Sequence, residues 1–179
     1  MPDIFHSAVH AVIIQNSQVL LGRRFNTGWG DGEYFFPAGH VKAFETLQDA
    51  LTREMDEEIG AAPIFNAHVI KPALVIEHLK DYGAAKPASD RFRHYYEYFY
   101  LVQNLEGTPR NLEPDKCDDL RFFPLSSLPS NIHPLALHAL QCVTGNIPHS
   151  SYGFDNPEFA RLHGTTPKVR PALVLAATA

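Results

Sequence analysis

Cysteine, methionine and tryptophan are scarce in this chain: its 179 residues include two cysteines, two methionines and one tryptophan. Cys117 and Cys142 stand alone, with no CxxC spacing and no further cysteine pair. By themselves they can build neither a disulfide framework nor a tetrahedral zinc site. The sequence therefore predicts reduced thiols in a cytoplasmic protein.

Long apolar runs are also missing, as is an excess of basic residues. No run approaches the roughly 20 apolar residues of a membrane-spanning helix. His10 interrupts the apolar stretch near the N-terminus, so neither a membrane partner nor a signal peptide is predicted. Fifteen Lys and Arg residues against twenty Asp and Glu residues leave a formal charge of −5. This balance argues against a groove for long nucleic acid, which must neutralise many phosphates, whereas a small polyphosphate needs only a local basic spot.

The hydrophobic pattern predicts an α+β fold. Apolar, β-branched segments bounded by turn residues are typical of strands, and apolar residues at every third or fourth position are typical of helices. Strands are predicted at residues 7–15, 19–25, 33–36, 68–79, 94–103 and 120–124, and helices at residues 46–59 and 134–144. This order favours a mixed sheet sandwiched by helices.

The domain is expected to span residues 1–149. Residues 150–179 contain three prolines and show no period, so we interpret them as a C-terminal extension that packs on the domain or is partly disordered. The apolar end of this extension, ALVLAATA, could pair with a sheet edge or with a partner chain, which leaves a homodimer open. A frayed terminus is the alternative.

The predicted helix at residues 46–59 carries a cluster of acidic side chains. Glu54, Glu57 and Glu58 stand at positions i, i+3 and i+4, so their carboxylates share one face of the helix. Like charges repel at this spacing unless a cation reverses the local field, and hard oxygen ligands suit Mg²⁺ or Mn²⁺. The alternative is a solvated acidic face without a ligand.

The residues around this cluster favour the interpretation as a metal site. Arg53 lies beside the cluster and Glu45 precedes the helix, and a guanidinium there can hold a carboxylate in a bidentate pair. The segment Pro37-Ala38-Gly39 lets the backbone approach the glutamates, where a carbonyl oxygen can complete a metal shell. A metal cage, a close loop and a fixing arginine are together typical of a polyphosphate site.

The spacing of these residues resembles the box of the Nudix hydrolase family, G-x5-E-x7-R-E-U-x-E-E-x-G-U, in which U is aliphatic. The matching residues are Gly39, Glu45, Arg53, Glu54, Glu57, Glu58 and Gly60. The last position, Ala61, is smaller than the usual residue there. The similarity covers about residues 7–145, and the departures at Ala38 and at residues 42–44 blur any subfamily assignment.

The resemblance implies an α/β/α sandwich with a mixed sheet, in which the box forms a loop–helix–loop. It implies that Glu57 and Glu58 bind Mg²⁺, or Mn²⁺ in its place. Glu54 would bind metal as well, or orient and deprotonate the attacking water, and the carbonyl oxygen of Ala38 would add a ligand. The residues implied to hold the box in shape are Gly39, Glu45, Arg53 and Gly60.

Other positions are matched to catalysis and substrate binding. Glu113 matches the position of a distant carboxylate ligand or base, and its alternative is an idle loop acid. The predicted catalytic residues are therefore Glu54, Arg53 and Glu113. Arg24, with Arg23, matches a phosphate-contacting position, although a surface arginine would look the same. The aromatic side chains that could stack on a base, or else pack in the core, are Trp29, Tyr34, Phe35 and Tyr96.

The resemblance predicts an enzyme that uses Mg²⁺ to hydrolyse a small nucleotide, a nucleoside diphosphate linked to another group. An intact or oxidised nucleoside triphosphate, cleaved to the monophosphate and pyrophosphate, is the first choice. ADP-ribose or another nucleotide sugar is the second, and capped or triphosphorylated RNA the third because the acidic charge disfavours it. A non-catalytic nucleotide-sensing module is the alternative from another class, and the retained box acids argue against it. A prenyl-diphosphate isomerase of the same fold lacks support because neither cysteine lies near the box.

Overall fold

The computed structural model describes residues 5–63 and 71–166. Its strands are β1 (Phe5–Gln15), β2 (Gln18–Arg24), β3 (Tyr34–Phe35), β4 (Ala38–His40), β5 (Ala62–Pro63), β6 (Leu74–Asp81), β7 (Phe92–Val102), β8 (Leu105–Glu106), β9 (Cys117–Pro124) and β10 (His149–Tyr152). Its helices are α1 (Leu47–Ile59), α2 (Ala88–Arg91), α3 (Pro134–Thr144) and α4 (Pro157–His163).

The central sheet is mixed and has the order β10-β6-β7-β1-β2-β3, with β4 paired to β1 and β9 paired to β2. β1 runs parallel to β7, and β10 runs parallel to β6, while the other pairs in this sheet are antiparallel. β1 is long enough to hold β4 along its first half and β2 at its end. β5 and β8 form a separate antiparallel pair.

Each face of this sheet buries a helix, because successive side chains of a strand point to opposite faces. Val9, Ala11 and Ile13 of β1 lie in one buried cluster, together with Leu51 and Met55 of α1. A second buried cluster combines apolar residues of β1, β6, β7 and α3, namely Val12, Leu74, Ile76, Phe99, Leu135 and Leu140. The predicted sandwich with a mixed sheet is thus confirmed.

Helix α1 begins and ends where its local sequence predicts. The Thr46 Oγ1 accepts a hydrogen bond from the N–H of Asp49 at 3.1 Å, which caps the first turn. Gly60 follows the last turn with a left-handed φ of 61°, and its N–H binds the carbonyl of Asp56 at 3.1 Å. These two caps fix the helix that carries the box glutamates.

The other predicted elements are present with shifted ends. The predicted helix at residues 134–144 matches α3, and four predicted strands overlap β1, β2, β7 and β9. The strand predicted at residues 68–79 begins only at Leu74, and residues 68–70 lie outside the described residues. The strand predicted at residues 33–36 is reduced to Tyr34 and Phe35.

The region after residue 149 contains structure that the sequence pattern did not predict. The expected boundary at residue 150 falls inside β10, which pairs with β6 in the main sheet. α4 packs against the same part of the domain: Arg91 Nη1 donates to Glu158 at 3.3 Å, and the rings of Phe92 and Phe159 meet edge to face at 5.2 Å. The segment ALVLAATA lies outside the described residues, so pairing through it stays a prediction.

None of the helices in residues 5–63 and 71–166 combines the length and the apolar character needed to cross a membrane.

Candidate active site

A cavity of about 690 Å³ opens beside the box, and its lining falls into two groups of residues. The box side carries carboxylates: Glu54, Glu57, Glu58 and Glu113. The sheet side carries aromatic and basic side chains around one further carboxylate: His10, Trp29, Phe35, Lys80, Tyr95 and Glu97. Arg23, Arg24, Ala38 and Gly39 also line this cavity. Most of the predicted site residues are therefore brought together.

Arg53 links the box loop to the helix. Its Nε and Nη2 bind the two carboxylate oxygens of Glu45 at 2.7 and 3.0 Å, which is the predicted bidentate pair. Its Nη1 donates to Glu54 at 2.5 Å and to Glu57 at 3.2 Å. Arg53 lowers the pKa of Glu45 to about 2, because the ion pair and its hydrogen bonds favour the charged carboxylate. The predicted structural role of Arg53 and Glu45 agrees with this geometry.

The loop that carries Glu113 docks on the C-terminal end of α1. The N–H groups of Arg110 and Leu112 bind the carbonyls of Ile59 and Glu58, each at 2.9 Å. These bonds use carbonyls that the last turn of the helix leaves unpaired. Glu113 consequently lies close enough to raise the pKa of Glu58, and its own Oε1 accepts a hydrogen bond from Lys116 at 2.7 Å.

Glu58 is the box carboxylate whose pKa the site raises. Burial and the nearby charges of Glu54 and Glu113 raise its pKa to about 8, although the N–H of Ala38 donates to it at 2.9 Å. A negative charge is therefore costly at this point unless a cation compensates it. These side chains are oxygen donors, and the negative charge of Glu58 is poorly compensated within the protein. Both properties suit the binding of a hard divalent cation.

The carboxylates do not, however, surround a common point. Within residues 5–63 and 71–166, no three His, Cys, Asp or Glu side chains are arranged so that they could hold a metal ion. Arg53 engages Glu54 and Glu57, while Glu58 faces the backbone of Ala38. The predicted ligands thus fit a divalent cation by type and electrostatics, and their role stays a prediction.

The two arginines of β2 differ in how many of their guanidinium nitrogens are already hydrogen-bonded. Arg23 is tied to Asp118 by two hydrogen bonds of 2.7 and 3.0 Å. Arg24 donates only through Nε, to the carbonyl of Trp29 at 2.8 Å, and no described residue accepts from its Nη1 or Nη2. Burial lowers the pKa of Arg24. Arg24 nevertheless stays positively charged, because a guanidinium does not deprotonate in proteins. Arg24 is therefore the better placed of the two to bind phosphate.

The four candidate stacking residues separate into two pairs. Trp29 and Phe35 line the cavity, with their rings edge to face at 6.0 Å. Tyr34 lies outside it, and its hydroxyl donates to Asp119 and accepts from Arg121 at 3.1 Å. Tyr96 also lies outside it and stacks against His94 at 5.4 Å. Of the four candidates, Trp29 and Phe35 are thus the two that line the cavity, and their role in binding a base stays a prediction.

The polar residues of the sheet side were not among the predicted site residues. Glu97 is buried and accepts hydrogen bonds from His10 Nε2 at 2.5 Å and His78 Nδ1 at 2.9 Å. Tyr95 lies next to it along β7, and its hydroxyl shares hydrogen bonds with Tyr82 at 2.9 Å and His40 at 3.2 Å. One feature of the sequence could have indicated these residues. Glu97 and His10 are polar side chains at inward-facing positions of strands, where apolar residues are usual.

Comparison with known proteins identifies the family. The NUDIX domain family matches residues 4–142. The chain therefore belongs to the NUDIX family, and the prediction of an enzyme is confirmed at the level of this hydrolase family.

Individual relatives agree with this assignment to different extents. The crystal structure of a MutT NUDIX hydrolase from Burkholderia pseudomallei is 26% identical, with a TM-score of 0.65 and coverage of 78% of this chain and 98% of that one. A NUDIX hydrolase from Nitrosomonas europaea shares the fold, with 18% identity, a TM-score of 0.56 and coverage of 82% and 77%. An RNA pyrophosphohydrolase from Alkalilimnicola ehrlichii is 43% identical over 54 residues, 29% of this chain and 28% of that protein. The chain thus aligns with less than a third of this last relative.

Proposed function

We propose that this chain is a Mg²⁺-dependent pyrophosphohydrolase that cleaves a nucleoside diphosphate linked to another group. The observation that carries the proposal is that Glu54, Glu58 and Glu113 line one cavity, where the charges of Glu54 and Glu113 help to raise the pKa of Glu58. Arg24 lines the same cavity with two unpaired guanidinium nitrogens among the described residues. Carboxylates for a cation and an arginine for phosphate are the two requirements of phosphoryl transfer, which depends on positioning and charge neutralisation.

The proposed reaction is hydrolysis of a phosphoric anhydride. Water attacks one phosphorus atom, the bond from that phosphorus to the bridging oxygen breaks, and the bridging oxygen leaves with the second phosphoryl group. A nucleoside triphosphate, intact or oxidised, would yield a monophosphate and pyrophosphate and remains the first choice. Mn²⁺ could replace Mg²⁺, since both prefer oxygen ligands.

Each residue of the box side has a role in this proposal. Glu54, Glu57, Glu58 and Glu113, with the carbonyl oxygen of Ala38, would hold Mg²⁺, which neutralises phosphate charge when bound. Either Glu54 or Glu113 accepts the proton of the attacking water. Arg53 keeps Glu54 oriented through its 2.5 Å hydrogen bond.

The residues outside the box would hold the rest of the nucleotide. Arg24 binds phosphate oxygens, and Trp29 and Phe35 contact the base.

Two other substrates deserve a direct test. ADP-ribose or another nucleotide sugar is the second choice from the family resemblance. The similarity to an RNA pyrophosphohydrolase over 54 residues favours the triphosphorylated end of RNA as a further candidate. The formal charge of −5 disfavours it, because a long RNA must be held through its phosphates.

The test is a panel of these compounds with Mg²⁺, with the products identified by mass. We expect a nucleoside monophosphate together with pyrophosphate, and a decrease in kcat on the order of 100-fold or more in Glu58→Gln. Asp56→Asn is the matched control, because Asp56 is an exposed acid of the same helix outside the cavity. Unchanged turnover in Glu58→Gln would contradict the proposed site, and nucleotide binding without turnover in the unmodified protein would favour the sensing module.

A further inference from the structure

Lys80 places an ammonium group in the sheet side of the cavity. It stands on β6, which is separated from the box strand β4 by β7 and β1. Its Nζ lies 3.7 Å from the centroid of the Trp29 ring, 5.0 Å from that of Tyr82 and 5.2 Å from that of Tyr95. These rings attract the cation through their electron-rich faces.

The N–H donors of the Lys80 ammonium have no hydrogen-bond acceptor among the described residues. Among the described residues, no carboxylate lies within 4.0 Å of Lys80 Nζ, and none of their polar atoms accepts a hydrogen bond from it. Burial accordingly lowers the pKa of Lys80 to about 8, since the aromatic faces replace only part of the lost hydration. Because this ammonium lines the cavity and lacks a hydrogen-bond acceptor among the described residues, it can donate to an acceptor atom of a bound ligand.

Most of the other polar atoms of the sheet side are already engaged, and His10 Nδ1, which has no partner among the described residues, is itself buried. Glu97 is the one carboxylate there, and both of its oxygens accept hydrogen bonds from histidines. The hydroxyl of Tyr95 is shared with Tyr82 and His40. The sheet side therefore offers a free donor in Lys80 and no free carboxylate for the amino group of a ligand.

We propose that Lys80 makes the enzyme select nucleotides whose base carries a carbonyl oxygen at the position where adenine and cytosine carry an amino group. An ammonium has three donors and no acceptor, so it can bind a carbonyl oxygen but meets another donor in an amino group. Guanine, hypoxanthine and uracil are the favoured bases. The inference rests on the proposed function, because it assigns the base to the sheet side while the phosphates occupy the box side.

Two pairs of nucleotides test the exchange of the amino group for a carbonyl oxygen with little other change. ITP differs from ATP in carrying a carbonyl oxygen instead of an amino group at position 6 of the purine, with the ring proton that accompanies it. UTP differs from CTP in the same way at position 4 of the pyrimidine. We expect kcat/KM to be higher for ITP than for ATP, and for UTP than for CTP, on the order of 10-fold or more, as is typical of a hydrogen bond to a charged group.

Lys80→Met removes the ammonium and keeps a side chain of similar length. We expect both ratios to fall toward one in Lys80→Met, while Lys80→Arg, which retains a donor, keeps a preference for the carbonyl bases. Lys86→Met is the matched control, since Lys86 is exposed and outside the cavity, and it should leave both ratios unchanged.

Other outcomes would overturn the inference and leave the proposed function standing. Equal kcat/KM for ITP and ATP in the unmodified protein would mean that Lys80 does not read the base. An equal loss with all four nucleotides in Lys80→Met would mean that Lys80 binds phosphate instead. If no triphosphate is hydrolysed, the proposed function fails, and calorimetric binding of IMP against AMP still tests the base preference: tighter IMP binding lost in Lys80→Met supports it, and equal affinities refute it.

Discussion

Gly39 lies directly against the carboxyl group of Glu54. A Cβ atom at position 39 would stand 1.8 Å from Glu54 Cδ and 2.0 Å from its Oε1, far closer than any real contact. The glycine is therefore needed for space and not for a left-handed backbone conformation, because its φ is not in the left-handed region. This contact lets β4 approach α1 and fixes where the carboxylate of Glu54 lies.

Gly39→Ala should destabilise the protein and reduce its activity together. The added methyl must displace Glu54 or the backbone of β4, which we expect to cost about 1–3 kcal/mol of unfolding free energy. Glu54 would lose its place beside Arg53, so kcat should fall as well. Chemical denaturation and steady-state kinetics measure both effects.

Gly164→Ala is the control for this substitution. Gly164 ends α4 with a φ of 63° and has no atom within 4 Å of an added Cβ. It should lose about 1 kcal/mol from backbone strain alone and keep its full activity. A fully active Gly39→Ala protein would show that Glu54 tolerates displacement.

The ion pair between Glu45 and Arg53 should make stability depend on pH at the acidic end. The pKa of Glu45 is about 2 in the folded protein, against about 4.3 for an unperturbed glutamate. A lowered folded pKa stabilises the protein fully above the unfolded value, and the contribution is lost as the pH falls through about 2.

The stability of the unmodified protein relative to Glu45→Gln should therefore be largest above pH 5 and shrink as the pH falls. Urea unfolding of both proteins at several pH values measures this difference. Glu106→Gln, which removes an exposed carboxylate with no ion pair among the described residues, should show no such trend. A difference that stays constant with pH would exclude the ion pair as its cause.

Glu113→Gln should lower kcat on the order of 10-fold or more, because it removes a carboxylate proposed to bind metal or accept a proton. Asp115→Asn changes an exposed acid two residues further along the same loop, outside the cavity, and should retain normal turnover. Magnesium titration of each protein separates the two roles of Glu113, since loss of a ligand raises the Mg²⁺ concentration needed for half-maximal rate.

The preference for carbonyl bases should weaken in alkaline solution. Burial and the charges of Arg24 and Arg93 lower the pKa of Lys80 to about 8, while Glu97 opposes this decrease. Lys80 is charged below that value and neutral above it, so the ratio of kcat/KM for ITP over ATP should fall as the pH rises through about 8. The rings of Trp29, Tyr82 and Tyr95 surround the same ammonium.

Lys80→Arg controls for titration of the base itself, because a guanidinium stays charged throughout this range. Its ratio should not show the decrease near pH 8. A parallel decrease in both proteins would assign the pH dependence to the nucleotide.

The box helix could be predicted from sequence because its determinants are local. Thr46, Gly60 and the apolar spacing between them specify α1 through hydrogen bonds and contacts only a few residues apart. The same spacing places Glu54, Glu57 and Glu58 on one face and brings Arg53 to Glu45, eight residues away. The family resemblance rests on these positions, and the match over residues 4–142 confirms it.

The short strands β4 and β10 could not be predicted, because their structure depends on partners far along the chain. Helix α4 differs from them, since Asn156 caps its first turn and Gly164 follows its last turn, so its determinants are local. β4 has three residues and exists through its pairing with β1. β10 has four residues and exists through its pairing with β6. Neither segment carries enough alternation to predict a strand, so the sheet edge decides its conformation.

The sequence by itself determined the family, the mixed α+β fold and the carboxylates of the box, because helix caps and residue spacing act over one or a few turns. Only the tertiary structure decided what faces those carboxylates across the cavity. Glu97 meets His10 from 87 positions away because β7 and β1 pair side by side, and Lys80 of β6 reaches the ring of Trp29 in the loop between β2 and β3. Such contacts depend on strand order and register, which no local pattern encodes.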